Sequence, residues 1–256
     1  MFMNKKNVKQ GFKLRTTRLA CAAALVLLAT ACATGPNAHP RDPLEPFNRG
    51  VYSFNDAVDR AVVKPVATAY RDVLPRPVRT GVTNFFHNLQ DAWSGVNNAL
   101  QLKPLETVES FMRFGVNTVF GLAGLLDVAS EMRLQRHTED FGQTLGYWGV
   151  GAGPYLVLPL LGPSTVRDTA ALPVDAQGNL VSSVSDVPTR NSATAVNLVD
   201  RRSRLLDASK MLDQVALDPY TFTRDAFLQR RRSQVYDGDP PDDEVLDDAQ
   251  TDSATK

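Results

Sequence analysis

Cysteine and histidine are scarce in this chain, and their scarcity removes whole classes of chemistry. Its 256 residues include two cysteines, Cys21 and Cys32, and three histidines, His39, His87 and His137. The histidines lie far apart with no local partner at metal-ligand spacing, so they read as surface or capping residues and no metal is expected. Excess charge is missing as well, since 28 Lys and Arg balance 28 Asp and Glu. That balance adds up three unlike segments. Residues 1–31 carry six basic residues and no acid, residues 237–256 carry eight acids and one Lys, and residues 32–236 hold 21 basic against 20 acidic residues. A near-neutral body lacks the basic face that a nucleic-acid protein needs. No apolar run is long enough to cross a hydrocarbon layer of roughly 30 Å as a simple helix. Nucleophile elbows of the form G-x-S-x-G are absent. Ser253-x-x-Lys256 matches S-x-x-K by chance in an acidic tail. Gly149-x-Gly151-x-Gly153 has the spacing of neither a dinucleotide fingerprint nor a P-loop, and it runs into Pro154 rather than a helix. The chain is therefore read as non-enzymatic, with no cofactor.

What is present begins with an export signal. Lys5, Lys6, Lys9, Lys13, Arg15 and Arg18 precede a short apolar run, Leu19 to Leu28, and then small residues. Ala29-Thr30-Ala31-Cys32 resembles a bacterial lipobox, which makes residues 1–31 a signal peptide and Cys32 the lipidated first residue. Plain secretion with a spare thiol is the alternative. Cys21 is the poorer lipidation candidate, because Arg18 would take the aliphatic position. With Cys32 acylated, no thiol remains for a disulfide, a nucleophile or a metal. Each buried methylene of the acyl chains adds about 0.8 kcal/mol of anchoring. Ala33 after the cysteine favours sorting to the outer membrane. Residues 32–43 form a Pro-rich tether, 44–236 the folded body, and 237–256 an acidic disordered tail.

Helical patterning dominates the body, and the fold class is all-α. Val82, Phe85, Phe86, Leu89, Trp93, Val96 and Leu100 recur at helical spacing, with His87, Asn88, Asp91, Ser94 and Asn98 mainly on other faces. Pro104 suits the first turn of a second helix. Its polar stripe is narrow (Glu106, Glu109, Ser110, Arg113, Asn117) and the remainder to Phe120 is mostly apolar. Such a helix is either central in a large core or faces lipid. Gly121 to Gly124 breaks it, and 125–130 is expected to continue as a short helix. Thr138 is a plausible N-cap for a helix reaching Trp148. Residues 149–163 are apolar but punctuated by Gly and Pro, and suggest a hydrophobic hairpin or re-entrant loop. Ser164 is expected to cap the helix holding Val166, Arg167 and Asp168, and 175–193 to be a polar connection or insertion. Helix returns over 195–212 and after Asp218-Pro219, ending at Arg230-Arg231-Arg232. No strand is expected.

Ordered blocks along the body resemble the MlaA (VacJ) family of outer-membrane lipoproteins. They run from Asp42-Pro43-Leu44-Glu45-Pro46-Phe47-Asn48-Arg49 through Tyr52-Ser53-Phe54-Asn55 and Arg113-Phe114-x-x-Asn117-Thr118. The block Phe141-Gly142-Gln143-Thr144-Leu145-Gly146 to Gly149-Val150-Gly151-x-Gly153-Pro154-Tyr155 is the most specific. Asp218-Pro219-Tyr220 and Arg224-x-Ala226-Phe227 extend the likeness toward the C-terminus. The resemblance implies a ring-shaped helical body in the inner leaflet of the outer membrane, with a central amphipathic channel. It implies removal of phospholipids misplaced in the outer leaflet, delivery to the periplasmic carrier MlaC, and a place beside a trimeric porin. By the same resemblance, Gly149, Gly151, Gly153, Pro154 and Tyr155 belong to a mobile channel hairpin, and Phe47, Asn48, Phe54 and Asn55 lie near the channel opening. A structural lipoprotein that scaffolds porins or the envelope is the alternative function.

Overall fold

The computed structural model describes residues 39–241. Cys32, the signal peptide and most of the acidic tail lie outside the described residues. The order of elements is α1 (Glu45–Val58), a single π turn (Asp59–Val63), α2 (Lys64–Val73), α3 (Arg76–Leu100), α4 (Pro104–Val119), α5 (Val128–Glu131) and α6 (Phe141–Tyr147). Then come β1 (Tyr155–Leu158), β2 (Gly162–Thr165), α7 (Val166–Gly178), α8 (Val187–Arg204), α9 (Leu206–Val215) and α10 (Pro219–Val235). The π turn has a local cause. Pro65 has no N–H for the carbonyl four residues earlier, and widening the helix just before it relieves the mismatch.

Prolines and acidic caps set most helix starts. Pro104 stands at the first position of α4, and Asp218 caps α10 by accepting from Tyr220 N ahead of Pro219. Several expected boundaries move. The cap of α6 is Asp140 rather than Thr138, and its carboxylate accepts from Gln143 N. Thr165, not Ser164, caps α7 and accepts from Asp168 N, while Ser164 pairs with the Thr169 hydroxyl. Residues 125–127 are not helical. Leu122, Ala123 and Gly124 all take positive φ, which turns the chain out of helix, and Asp127 caps the one-turn α5. The 195–212 helix is two helices meeting at Leu205, and α10 continues past the arginines to Val235. Most of 175–193 is also helical. α7 reaches Gly178 and α8 starts at Val187 behind the Asp186 cap, which accepts from Thr189 N.

Two strands also form where none was expected, in the stretch read as a hairpin. β1 and β2 pair antiparallel, Tyr155 opposite Thr165 and Leu158 opposite Gly162. Four residues per strand are too few to show alternation against a background of Gly and Pro.

Packing inverts the usual rule for a water-soluble domain. The helices of the α3–α4 pair meet through Asn88, Asp91, Ser94, Asn98, Ser110, Arg113 and Asn117, all buried. Leu105, Val108, Phe111, Met112, Val119 and Phe120 of the same pair and its following turn face outward. Among the described residues, nine apolar side chains are buried against twenty-one polar or charged ones, and thirty-six large apolar side chains are exposed. Burying a large apolar side chain is worth roughly 1.5–3 kcal/mol, so the exposed set forfeits several times the ~5–15 kcal/mol that stabilises a domain in water. Of the two readings of the 105–120 helix, central in a large core or facing lipid, the exposed apolar residues are at odds with the first. No helix among the described residues is long and apolar enough to cross a membrane.

The polar interior is held by paired groups. Arg113, 2 % exposed, donates to both oxygens of Asp127 at 2.9 and 3.0 Å and to Leu134 O at 2.6 Å. Arg136 pairs with Asp91 at 2.7 Å, and Asn117 Oδ1 accepts from Ala129 N. Element contacts close a circuit. α2 continues α1 and packs on α8; α8 packs on α3, α3 on α6, α6 on α7, and α7 on β2, whose partner β1 packs on α1.

Candidate functional site

Two features of this circuit are candidates for function, a clamped hairpin and an amphipathic cavity. The clamp begins on α1. Asn48, fully buried, donates to Tyr155 O at 3.0 Å and accepts from Val157 N at 2.8 Å. Two helical turns later Asn55 repeats the pattern, donating to Leu158 O at 2.9 Å and accepting from Leu160 N at 2.8 Å. A side-chain amide offers the same donor and acceptor as a peptide, so the two asparagines replace a neighbouring strand along the open edge of β1. Seven-residue spacing puts both on one face of α1.

Asp42 locks the other end. Its carboxylate accepts from Asn48 Nδ2 at 2.8 Å, the Tyr220 hydroxyl at 2.5 Å and Arg224 at 3.3 Å. Arg41 O accepts from Tyr155 N at 2.8 Å. Residues 41 and 42, read from sequence as tether, are therefore part of the folded body. Tyr155 is buried among Tyr52, Tyr220 and Phe227, with its hydroxyl unpartnered and its pKa pushed up by burial and then by Asp42.

Between α6 and β1 the Gly149–Pro154 strap passes over the start of α7. Ala152 O accepts from Arg167 N and Pro154 O from Val166 N, each at 3.1 Å. Gly149 (φ +88°) and Gly153 (φ +68°) occupy left-handed backbone that other residues resist. Gly151 has neither a positive φ nor an atom within 4 Å of an added Cβ, so the geometry assigns it no comparable demand. The four residues expected near an opening divide by function: Asn48 and Asn55 hold the hairpin, while Phe47 and Phe54 point outward, each 51 % exposed.

The cavity, about 210 Å³, lies between α3, the starts of α6, the end of α7 and α8. Its lining mixes apolar Phe86, Leu89, Trp93 and Val181 with polar Gln90, Asn179, Asn197 and Arg201 and the carboxylates of Glu139, Asp140 and Asp175. Arg231 braces its floor, donating to both oxygens of Asp140 at 2.6 and 2.7 Å and to both of Asp168 at 3.0 Å. Burial raises the Asp140 pKa, but the Arg231 contacts outweigh it and hold the carboxylate below its usual range. A second groove of about 450 Å³ between α2 and α8 is lined mostly by apolar side chains, including Val66, Val73 and Val196.

Sequence reasoning singled out the hairpin and α1 but missed Asn179, in the stretch read as a connection, and Asn197 and Arg201, in the helix expected over 195–212. Asp186-x-x-Thr189 ahead of them was a legible cap signal. Arg231 was seen only as part of a terminal basic run.

A family description of the MlaA lipoprotein matches residues 40–234. The intermembrane phospholipid transport system lipoprotein MlaA of Escherichia coli K12 is 38 % identical over 222 residues, covering 85 % of this chain and 87 % of that protein. Its counterpart in Haemophilus influenzae is 34 % identical over 239 residues, covering 88 % and 92 %. A solved chain from work on the structural basis for maintenance of bacterial outer membrane lipid asymmetry superposes with a TM-score of 0.68 at 37 % identity, over 76 % of this chain and 98 % of that one. On the family match, the relatives and the shared fold together, the chain belongs to the MlaA lipoprotein family.

Proposed function

We propose that this protein works at the outer membrane as the lipoprotein of an intermembrane phospholipid transport system. It takes phospholipids misplaced in the outer leaflet and passes them to a periplasmic carrier of the MlaC type, which maintains lipid asymmetry. The observation that carries the reading is the inverted surface: apolar side chains face out and polar ones line the interior. Such a body rests in one lipid leaflet and offers headgroups a polar path through it. The closed circuit of element contacts supports a ring around that path. Transport-system relatives at 34–38 % identity supply the direction of the argument. Lipid on Cys32 would keep the body in the inner leaflet, beside a trimeric porin. No step of this work makes or breaks a covalent bond, so the protein is read as a passive conduit rather than an enzyme.

The test measures phospholipid accessible at the cell surface, using a phospholipase that cannot cross the outer membrane. Deletion should increase it, the wild-type gene should reverse the increase, and a Cys32→Ala form should not. No change on deletion, in a strain with no second copy, would sink the transport reading in favour of a porin or envelope scaffold.

A further inference from the structure

Many arginines in this fold are paired with a carboxylate. Arg202 pairs with Asp59 at 2.7 Å, Arg136 with Asp91, Arg113 with Asp127, Arg204 with Asp200 at 3.4 Å, and Arg231 with two carboxylates. Arg201 differs. It lines the cavity, its Nε donates to Asn197 Oδ1 at 3.1 Å, and among the described residues no carboxylate forms an ion pair with it. Arg201 is an exposed residue, and among the described residues its two terminal nitrogens have no hydrogen-bond partner.

The acids across the cavity cannot serve as its counter-ions. Asp140 is held by Arg231. Asp175 accepts from Trp93 Nε1 and Phe141 N, both at 2.8 Å. Glu139 accepts from Gln101 and lies 3.5 Å from Lys103. On the near side Arg204 and Asp200 both act on Arg201, one with like and one with opposite charge. Arg204 lies 3.3 Å from His87 Nε2. After burial, Arg136, Arg204 and Arg201 in turn push the His87 pKa down, to about 4, with Asp127 the acid opposing them.

The chemistry of the lining specifies an anion. A guanidinium fork presents two parallel donors matched to phosphate oxygens. Asn179 adds a donor amide, since its Oδ1 is occupied by Val181 N at 3.0 Å. Phe86, Leu89 and Val181 add apolar surface to the same lining. A volume of about 210 Å³ is below the roughly 300–1,000 Å³ of a drug-sized pocket, room for a headgroup and not for acyl chains.

Resting on the lipid-transport reading, we infer that Arg201, with Asn197 and Asn179, is a phosphate subsite that holds a phospholipid headgroup inside the cavity. The apolar residues of the lining then meet the glycerol end, and the acyl chains stay outside the cavity.

Binding to the purified full chain, in a phosphorus-free nonionic detergent, tests this with three probes: a short-chain phosphatidylglycerol, the diacylglycerol of the same chains, and inorganic phosphate. Wild type should prefer the phospholipid over both others. Arg201→Gln should weaken phospholipid binding about tenfold, the loss expected of one charge-assisted contact, and leave diacylglycerol binding unchanged. Arg201→Lys should recover most of it. Asn197→Asp, which sets a competing carboxylate beside Arg201, should weaken it as well and guards against a folding defect in the first variant. Phospholipid binding that survives both Arg201→Gln and Asn197→Asp overturns the subsite and leaves the transport reading standing. Inorganic phosphate binding as tightly as the lipid overturns the headgroup assignment. Failure of wild type to bind phospholipid or diacylglycerol overturns the transport reading itself.

Discussion

Asn48 shows how much a single amide can decide. Its two bonds to β1 are buried, so removing the amide strands Tyr155 O and Val157 N where water does not reach. Each buried group left unpaired costs about 1–3 kcal/mol. Asn48→Leu, nearly isosteric, should therefore lower the unfolding free energy by several kcal/mol in detergent, measured by denaturant titration. Asn55→Leu should cost clearly less, because Leu160 N lies in an exposed part of the chain. Equal losses would argue against the clamp. His87 carries a second residue-scale prediction. Its pKa is pushed down to about 4 in the fold, by burial first and then the three arginines, against an ordinary 6.5. Between those values the unfolded chain takes up a proton that the folded chain refuses. Its contribution is therefore fully kept above about 6.5 and lost progressively as pH falls toward 4. Comparing melting temperatures at pH 7.5 and 5, His87→Gln should show a smaller acid-induced drop than wild type.

Elements were legible where their signals are local. Asp218-Pro219 marks the start of α10, Pro104 that of α4, and the Gly and Pro punctuation after Trp148 marks a hairpin. What misled was competition between neighbouring caps. Thr138 and Asp140 are both good caps, and Asp140 wins because Arg231, ninety-one positions away, fixes its carboxylate. No local pattern carries that contact. The apolar period of α3 was likewise correct, but the sequence does not say which face meets the neighbour. Only the outer medium decides that. At the hairpin the glycines differ in ways composition hides. Gly153 needs φ +68° and its added Cβ would lie 3.2 Å from Val166 Cβ, whereas Gly151 needs neither freedom nor space. Left-handed backbone costs a β-branched residue roughly 1–2 kcal/mol. Gly153→Val should thus displace the strap from α7 and raise surface-accessible phospholipid in cells, with the helical body still folded by circular dichroism. Gly151→Val should be close to wild type, and an equal defect in both would move the explanation from the static turn to motion of the strap during transport.

At the scale of the molecule, the inverted distribution of polarity makes opposite substitutions destructive on opposite faces. Val108 and Met112 lie one helical turn apart on the outward face of α4, 54 % and 45 % exposed. Placing Glu at both puts charge where lipid is proposed to be, at roughly 2.5–3.5 kcal/mol for each acidic group near the middle of the hydrocarbon. The double variant should lose at least tenfold in partition to phospholipid vesicles while its thermal melt stays close to wild type, since neither side chain supports the interior. Arg113→Leu reverses both outcomes. It removes the donor to Asp127 and Leu134 O in the α4–α5 contact and leaves Asp91 without its second arginine, so the fold should melt early and the outer surface should still favour vesicles. Vesicle partition unchanged in the double variant would mean that a partner protein, rather than lipid, covers this face.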